Sequence, residues 1–131
     1  MAETMEALND LVKAGKVRAL GASAMYGYQF ADMQQIAKDH GWARFETMEN
    51  HYNLFYREDE RELIPICQEQ QVSLMPYIPL AAGYLSHLGW RTDTLRSKTD
   101  RVAMGKYDAI EAQDYKIVQR VSEVAPKQGG R

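Results

Sequence analysis

The sequence predicts an α/β fold with parallel strands, and two observations support that prediction. Three times along the 131-residue chain, a segment with apolar residues at helical spacing precedes a short apolar run and a polar loop. Each apolar run is short enough for a strand, and strands that alternate with helices usually pair in parallel through crossover connections. We therefore expect the polar loops to meet at the carboxyl edge of one sheet, where such folds place ligands.

The first two units fill the N-terminal half of the chain. Apolar residues at helical spacing over residues 3–14 predict an amphipathic helix, and residues 17–21 predict the strand that follows it. A second helix is predicted from Phe30 up to a left-handed end at Gly41, with a second strand over residues 45–48. A polar and aromatic cluster follows that strand.

The third unit ends in the most distinctive loop of the chain. Residues 59–71 predict a helix that Pro65 should kink or restart, and the apolar run at residues 72–75 predicts a central buried strand. Prolines and a glycine then force an open, rigid turn. Residues 86–106 show no sustained period and predict an irregular loop, and residues 110–125 predict a last helix.

Composition narrows the function classes. The net charge of −2, from 16 basic and 18 acidic residues, provides no basic field for nucleic acid. The single cysteine, Cys67, is expected in the core, and one cysteine cannot form an internal disulfide, which fits a reducing compartment. No signal peptide or membrane-spanning run is recognisable, so we expect one cytoplasmic domain over residues 1–131 with no membrane partner. The three histidines lack ligand spacing, and no metal site is predicted.

Three ordered stretches resemble the C-terminal part of the aldo-keto reductases. They read V-K-A-G-K-V-R-A-L-G-A-S, E-N-H-Y-N-L-F-Y-R-E-D-E-R-E-L-I-P and P-Y-I-P-L-A-A-G. The resemblance implies a partial TIM barrel, with three parallel β/α units that correspond to strands five to seven of the family. It also implies an ancestral NADPH-dependent reduction of carbonyl compounds.

The resemblance places the cofactor contacts of this chain at six positions: Ser23, Glu49, Tyr77, Leu80, Ala81 and Gly83. Ser23 matches the serine that bonds the nicotinamide carboxamide, and Tyr77 matches the aromatic that stacks on the nicotinamide. Glu49 stands where the family has glutamine, so an amide that donates and accepts is replaced by an acceptor-only anion. Ile78 and Ala82 also replace a serine and an arginine that the family commonly has.

These assignments compete with simpler interpretations. Ser23 alone is more often a helix N-cap, and Tyr77 alone more often a boundary aromatic. Glu49, Asn50 and His51 suggest acid–base chemistry, but neighbouring strand residues face opposite sides and should not converge.

No catalytic residue is predicted in this chain. The family's catalytic Asp, Tyr, Lys and His come from the first half of the barrel, which the resemblance does not cover. We therefore expect a fragment that is inactive alone, with two alternatives: a non-enzymatic interaction protein, or an enzyme that a second chain completes. Self-association is also predicted, because missing strands would leave sheet edges and apolar strand residues uncovered. At least some of the strand residues Leu20, Met48, Leu74 and Met75 are expected on the uncovered side.

Overall fold

The structure, a computed structural model, describes residues 1–86, 94–107 and 112–129. Its contacts group the chain into two compact units. Unit 1 comprises Met1–His51 and Glu58–Tyr77, and unit 2 comprises Tyr52–Arg57 and Ile78–Arg131. The single domain expected over residues 1–131 stays a prediction.

Unit 1 is a three-stranded parallel sheet covered on one face by helices. Its elements in chain order are α1 (Ala2–Lys13), β1 (Leu20–Ser23), α2 (Gly27–His40), β2 (Phe45–Glu49), α3 (Leu63–Glu69) and β3 (Ser73–Leu74). The strand order is β1-β2-β3 with both pairs parallel, so the predicted α/β class is confirmed. A 3-10 turn at Glu58–Glu60 precedes α3.

The helix ends of unit 1 follow the sequence signals. α1 and α2 lie within a few residues of their predicted positions, and Gly41 ends α2 with a left-handed φ of 65°. Pro65 lies in the first turn of α3, where a missing N–H costs no helical hydrogen bond. The predicted restart of that helix is thereby confirmed.

Two strand predictions need correction. β1 begins at Leu20 and not at residue 17. β3 has only two residues and lies at the edge of the described sheet, so β2 is its central strand. Since Pro76 cannot donate a ladder hydrogen bond, regular pairing ends after Met75, whose N–H donates to the Met48 carbonyl over 2.8 Å.

The core of unit 1 lies between the sheet and its helices. Its buried members come from the inner faces of the three helices and from the alternate strand residues that face them. They are Met5, Leu20, Ala22, Phe30, Met33, Ala37, Phe45, Met48, Leu63, Cys67 and Val72. The prediction that Cys67 belongs to the core is confirmed.

Unit 2 is helical among the described residues. It contains α4 (Leu95–Thr99), α5 (Arg101–Tyr107) and α6 (Ala112–Val124), with 3-10 turns at Ala81–Gly83 and Ala125–Gln128. Its buried core comprises Ala81, Leu85, Tyr107 and Val118. The predicted last helix is confirmed by α6.

The irregular loop predicted over residues 86–106 is wrong where the structure describes it, because α4 and α5 occupy most of that range. The Asp100 carboxylate accepts a hydrogen bond of 2.9 Å from the Ala103 N–H and so caps α5. That bond, aided by Arg96, lowers the pKa of Asp100. Residues 87–93 lie outside the described residues. Within the described part of the chain, no helix is both long and apolar enough to cross a lipid bilayer.

Candidate functional site

Ser23 and Glu49 lie side by side at the carboxyl ends of β1 and β2. The parallel register pairs their Cα atoms, and the Ala24 N–H donates to the Glu49 carbonyl oxygen over 3.0 Å. Both residues are exposed. Because residues in register project to the same face of a sheet, the Ser23 hydroxyl and the Glu49 carboxylate share one exposed face.

This exposed face is mostly polar, and Met75 meets the expectation that at least some apolar strand residues are uncovered. Thr47 and Ser73 are paired in register on it. Leu20 and Met48 face the helices instead and are buried, while Met75 is 55% exposed. The face that the helices leave uncovered therefore presents hydroxyl and carboxylate groups, with Met75 as an apolar exception.

A glycine lets β1 and β2 approach closely beside these residues. A Cβ atom on Gly21 would lie 2.6 Å from the Thr47 Oγ1 atom. That distance is shorter than non-bonded contacts of Cβ atoms, so the Thr47 side chain or the strand would have to shift. The missing side chain therefore preserves the register that brings Ser23 to Glu49.

Tyr77 continues the pairing with β2 beyond the end of β3. Its N–H donates to the Asn50 carbonyl over 2.9 Å, and it forms an isolated parallel bridge with His51. The rings of His51 and Tyr77 stack, with centroids 5.2 Å apart and planes 13° apart. Three residues of the predicted site, Ser23, Glu49 and Tyr77, thus belong to the carboxyl edge of one sheet.

Asn50 faces away from Glu49, as strand alternation predicts. It is fully buried, and its Nδ2 donates to Asp59 Oδ2 over 2.9 Å. Its Oδ1 has no hydrogen-bond partner in the described part of the chain. The prediction was that Glu49, Asn50 and His51 do not converge on one reacting group, and it is confirmed for Asn50.

The other three predicted contacts belong to unit 2, in a loop that we call the positive-φ loop, residues 78–83. Ile78, Ala81, Ala82 and Gly83 have φ angles of 56°, 48°, 57° and 103°. Leu80 is 58% exposed, but Ala81 is fully buried in the core of unit 2. Ala81 therefore presents no side chain to a ligand.

Asn53 is a residue of unit 2 to which the sequence analysis gave no role. It is 4% exposed, and its side chain bonds to its own turn, to Ile78 and to Tyr107. The signal in the sequence was an asparagine in a polar cluster, which is also typical of an ordinary turn. Its long-range partners could not be read from the sequence.

An apolar groove of about 560 Å³ also lies in unit 2. It is lined by Leu54, Arg57, Lys116, Ile117, Arg120, Val121, Val124 and Ala125. None of the six predicted cofactor contacts lines it.

Two buried titratable groups lie apart from the predicted contacts. Burial, and to a lesser extent the Asp59 carboxylate, raises the pKa of the Cys67 thiol. Burial also raises the pKa of Asp114, whose Oδ2 has no hydrogen-bond partner among the described residues. The raised pKa makes Cys67 a poor nucleophile at neutral pH.

Comparison with known proteins identifies the family. The family model described as "Aldo/keto reductase family" matches residues 1–131. The chain belongs to the aldo/keto reductase family. An aldo-keto reductase of Fusarium vanettenii is 50% identical over 131 residues, which cover 97% of this chain and 34% of the relative. The versiconal hemiacetal acetate reductase of Aspergillus parasiticus is 44% identical over 128 residues, which cover 97% of this chain and 37% of the relative.

The chain thus spans about a third of the length of the aldo/keto reductases that it matches. Its fold resembles a crystal structure provisionally assigned as a 2,5-diketo-D-gluconic acid reductase B, with a TM-score of 0.56 and 19% identity. The match covers 92% of this chain and 51% of that one.

A nicotinamide cofactor, which the aldo/keto reductase family uses in general, fits part of the arrangement in unit 1. The Ser23 hydroxyl can donate and accept, as a carboxamide requires, and the Tyr77 ring offers an apolar surface. The Glu49 carboxylate only accepts, and its charge opposes a polyanionic ligand. The sheet edge therefore offers the nicotinamide two suitable contacts and one unfavourable contact.

Proposed function

We propose that this chain forms one wall of an NADPH site in an aldo-keto reductase barrel and does not reduce carbonyl compounds by itself. One observation carries the proposal: Ser23 and Glu49 are paired in register at the carboxyl edge of a parallel sheet, on the face that the helices leave uncovered. That edge is where α/β barrels place their active sites. In this proposal β1, β2 and β3 correspond to strands five to seven of the family's barrel.

Four of the six matched residues have a role in this proposal. In unit 1 the Ser23 hydroxyl would bond the nicotinamide carboxamide and the Tyr77 ring would pack on the nicotinamide. Leu80 and Gly83, which belong to unit 2, are proposed as cofactor contacts on the resemblance alone. The chemistry that NADPH would supply at this wall, when bound, is the hydride for a carbonyl carbon. Reduction also needs a proton at the carbonyl oxygen, delivered by a positioned acid. The resemblance matches none of this chain's residues to that acid, which is why the chain is proposed to be inactive alone.

Titration of the purified chain with NADPH, followed by cofactor fluorescence, tests the proposed wall. We expect weak, saturable binding that Ser23→Ala weakens roughly fivefold, because the change removes a hydrogen bond worth about 1 kcal/mol. Ser73→Ala is the matched control, since Ser73 is another exposed serine on the same sheet but is not a predicted contact. Equal losses in the two variants would contradict the role of Ser23, and no saturable binding would contradict the proposed wall.

A further inference from the structure

The buried side chain of Asn53 is fully used in hydrogen bonding. Its Oδ1 accepts from the N–H groups of Phe55 and Tyr56, over 2.9 Å and 3.0 Å. Its Nδ2 donates to the Ile78 carbonyl oxygen over 3.1 Å and to the Tyr107 hydroxyl over 3.0 Å. Two acceptor bonds hold the local turn, and two donor bonds reach distant parts of unit 2.

One of these distant partners is strained. Ile78 has a φ of 56°, which is an outlier for a β-branched residue and makes its backbone strained. Its carbonyl oxygen accepts from Asn53 and also from the Ala81 N–H over 3.0 Å. Such a conformation persists only when its surroundings enforce it, and the Asn53 amide is a buried group that does so.

The turn that follows Ile78 begins with the bond from the Ala81 N–H to this carbonyl and continues with two bonds to the Leu80 carbonyl. The Gly83 N–H donates to the Leu80 carbonyl over 2.9 Å, and the Leu85 N–H donates to the same oxygen over 3.2 Å. Both bonds lie in the turn that starts at Ile78. Fixing the Ile78 peptide therefore fixes the direction in which Leu80 and Gly83 are presented.

We propose that Asn53 is a positioning residue that holds the positive-φ loop in its ligand-facing conformation through the Ile78 carbonyl. This inference deepens the proposed NADPH role of Leu80 and Gly83 and rests on it. Asn53 does not itself touch the ligand. Tyr107, whose ring packs on Phe55 and Tyr84, accepts the other hydrogen bond from the Asn53 amide.

Asn53→Asp separates the acceptor bonds of the Asn53 side chain from its donor bonds. The carboxylate still accepts from Phe55 and Tyr56, and the Tyr107 hydroxyl can turn to donate to it. The carboxylate cannot donate to the Ile78 carbonyl. Tyr107→Phe is the matched control, because it removes the other partner of Nδ2 and leaves the Ile78 bond in place.

Amide hydrogen exchange on the full 131-residue chain measures the effect without any ligand. In Asn53→Asp we expect the amides of Ala81, Gly83 and Leu85 to exchange about tenfold faster, the effect of losing one buried hydrogen bond. The Phe55 amide should keep its protection. In Tyr107→Phe all four amides should stay within about twofold of the parent.

NADPH titration supplies the second readout. Asn53→Asp should weaken NADPH binding about five- to tenfold. The thermal midpoint of Asn53→Asp is compared with that of Tyr107→Phe, so that a loss of overall stability is recognised. If the parent chain binds no NADPH, the proposed function fails, while the exchange result still tests the positioning role. Unchanged exchange in residues 81–85 of Asn53→Asp would overturn that role.

Two further outcomes would also overturn the positioning role. One is faster exchange spread evenly over both units, which would make Asn53 a general stabiliser. The other is failure of both Asn53→Asp and Asn53→Ala to fold, since the proposal confines the effect of Asn53 to one loop.

Discussion

The side chain of Gln34 bonds both backbone polar groups of Phe45. The Phe45 N–H donates to Gln34 Oε1 over 2.8 Å, and Gln34 Nε2 donates to the Phe45 carbonyl over 3.0 Å. Gln34 on α2 thus forms with Phe45, the first residue of β2, the two backbone hydrogen bonds that a neighbouring strand would otherwise form. The register with β1 is irregular just beyond this point, between Leu20 and Gly21, and then runs regularly to Ser23 and Glu49. The Gln34 amide therefore helps to set the alignment of the candidate site.

Gln34→Leu should destabilise unit 1. Gln34 is 2% exposed, so the substitution leaves the N–H and C=O of Phe45 without these partners in a buried place. The expected loss is about 1–3 kcal/mol in the free energy of unfolding, measured by urea denaturation. Gln35→Leu is the control, because Gln35 is exposed and bonds only to Asp39 among the described contacts. Equal losses in both variants would contradict the strand-partner role.

Glu49→Gln should strengthen NADPH binding. The substitution restores a donor and removes a negative charge next to Ser23, where a polyanionic ligand is proposed to bind. Titrations at low and moderate salt should show a gain of roughly threefold to tenfold that is larger at low salt. Glu46→Gln removes an exposed carboxylate from the same strand and is the control. If the two variants gain equally, net charge explains the effect and Glu49 does not face the ligand.

The isolated chain should show no carbonyl reductase activity. Cofactor contacts without a positioned proton donor leave the proton transfer uncatalysed, a step that general acids accelerate about 10²- to 10⁴-fold. The measurement is NADPH consumption with a generic aldehyde against a control without protein. Turnover that disappears in Ser23→Ala would contradict this prediction, because it would tie the reaction to the cofactor contacts of this chain.

Asp114→Asn should stabilise the chain at neutral pH. Burial raises the pKa of the Asp114 carboxyl in the folded state, so the folded chain binds this proton more tightly than the unfolded chain. The resulting stabilisation is complete below the unfolded-state pKa and is lost as the pH rises through the folded-state pKa. At pH 7 the neutral amide should therefore raise the free energy of unfolding relative to the parent chain. Thermal unfolding measures this gain in stability, and Asp10→Asn is the exposed control. A gain that does not shrink at acid pH would show that burial of the Asp114 charge is not its cause.

The sequence predicted the parallel α/β class because local signals agree with the fold. Apolar spacing located α1 and α2, and Gly41 marked a helix end through a conformation that other residues rarely adopt. Contacts between distant residues were not predictable in this way. The Gln34–Phe45 pair and the Asn53–Ile78 bond join segments far apart in sequence, and no local pattern encodes them. Polar composition also concealed α4 and α5, the second of which is capped by Asp100.

Self-association remains a prediction, and the structure changes its physical basis. β1 and β3 are the outer strands of the described sheet, so each has one edge without a strand partner there. Unpaired strand edges are templates for pairing with another chain. The uncovered face is mostly polar and supplies little hydrophobic driving force, but Met75 is 55% exposed beside the β3 edge. We therefore expect a weak, concentration-dependent dimer that pairs along a strand edge, with Met75 near the contact.

Light scattering across the micromolar range measures this dimer. Met75→Lys should shift the equilibrium towards monomer by about fivefold or more, because it places a charge where an apolar contact is lost. Tyr28→Lys is the control, since Tyr28 on α2 has nearly the same exposure, 56%. A monomer at all concentrations would show that the edges need no partner. If both variants shift the equilibrium equally, a general charge effect explains the dissociation. The dimer contact would then not be at β3.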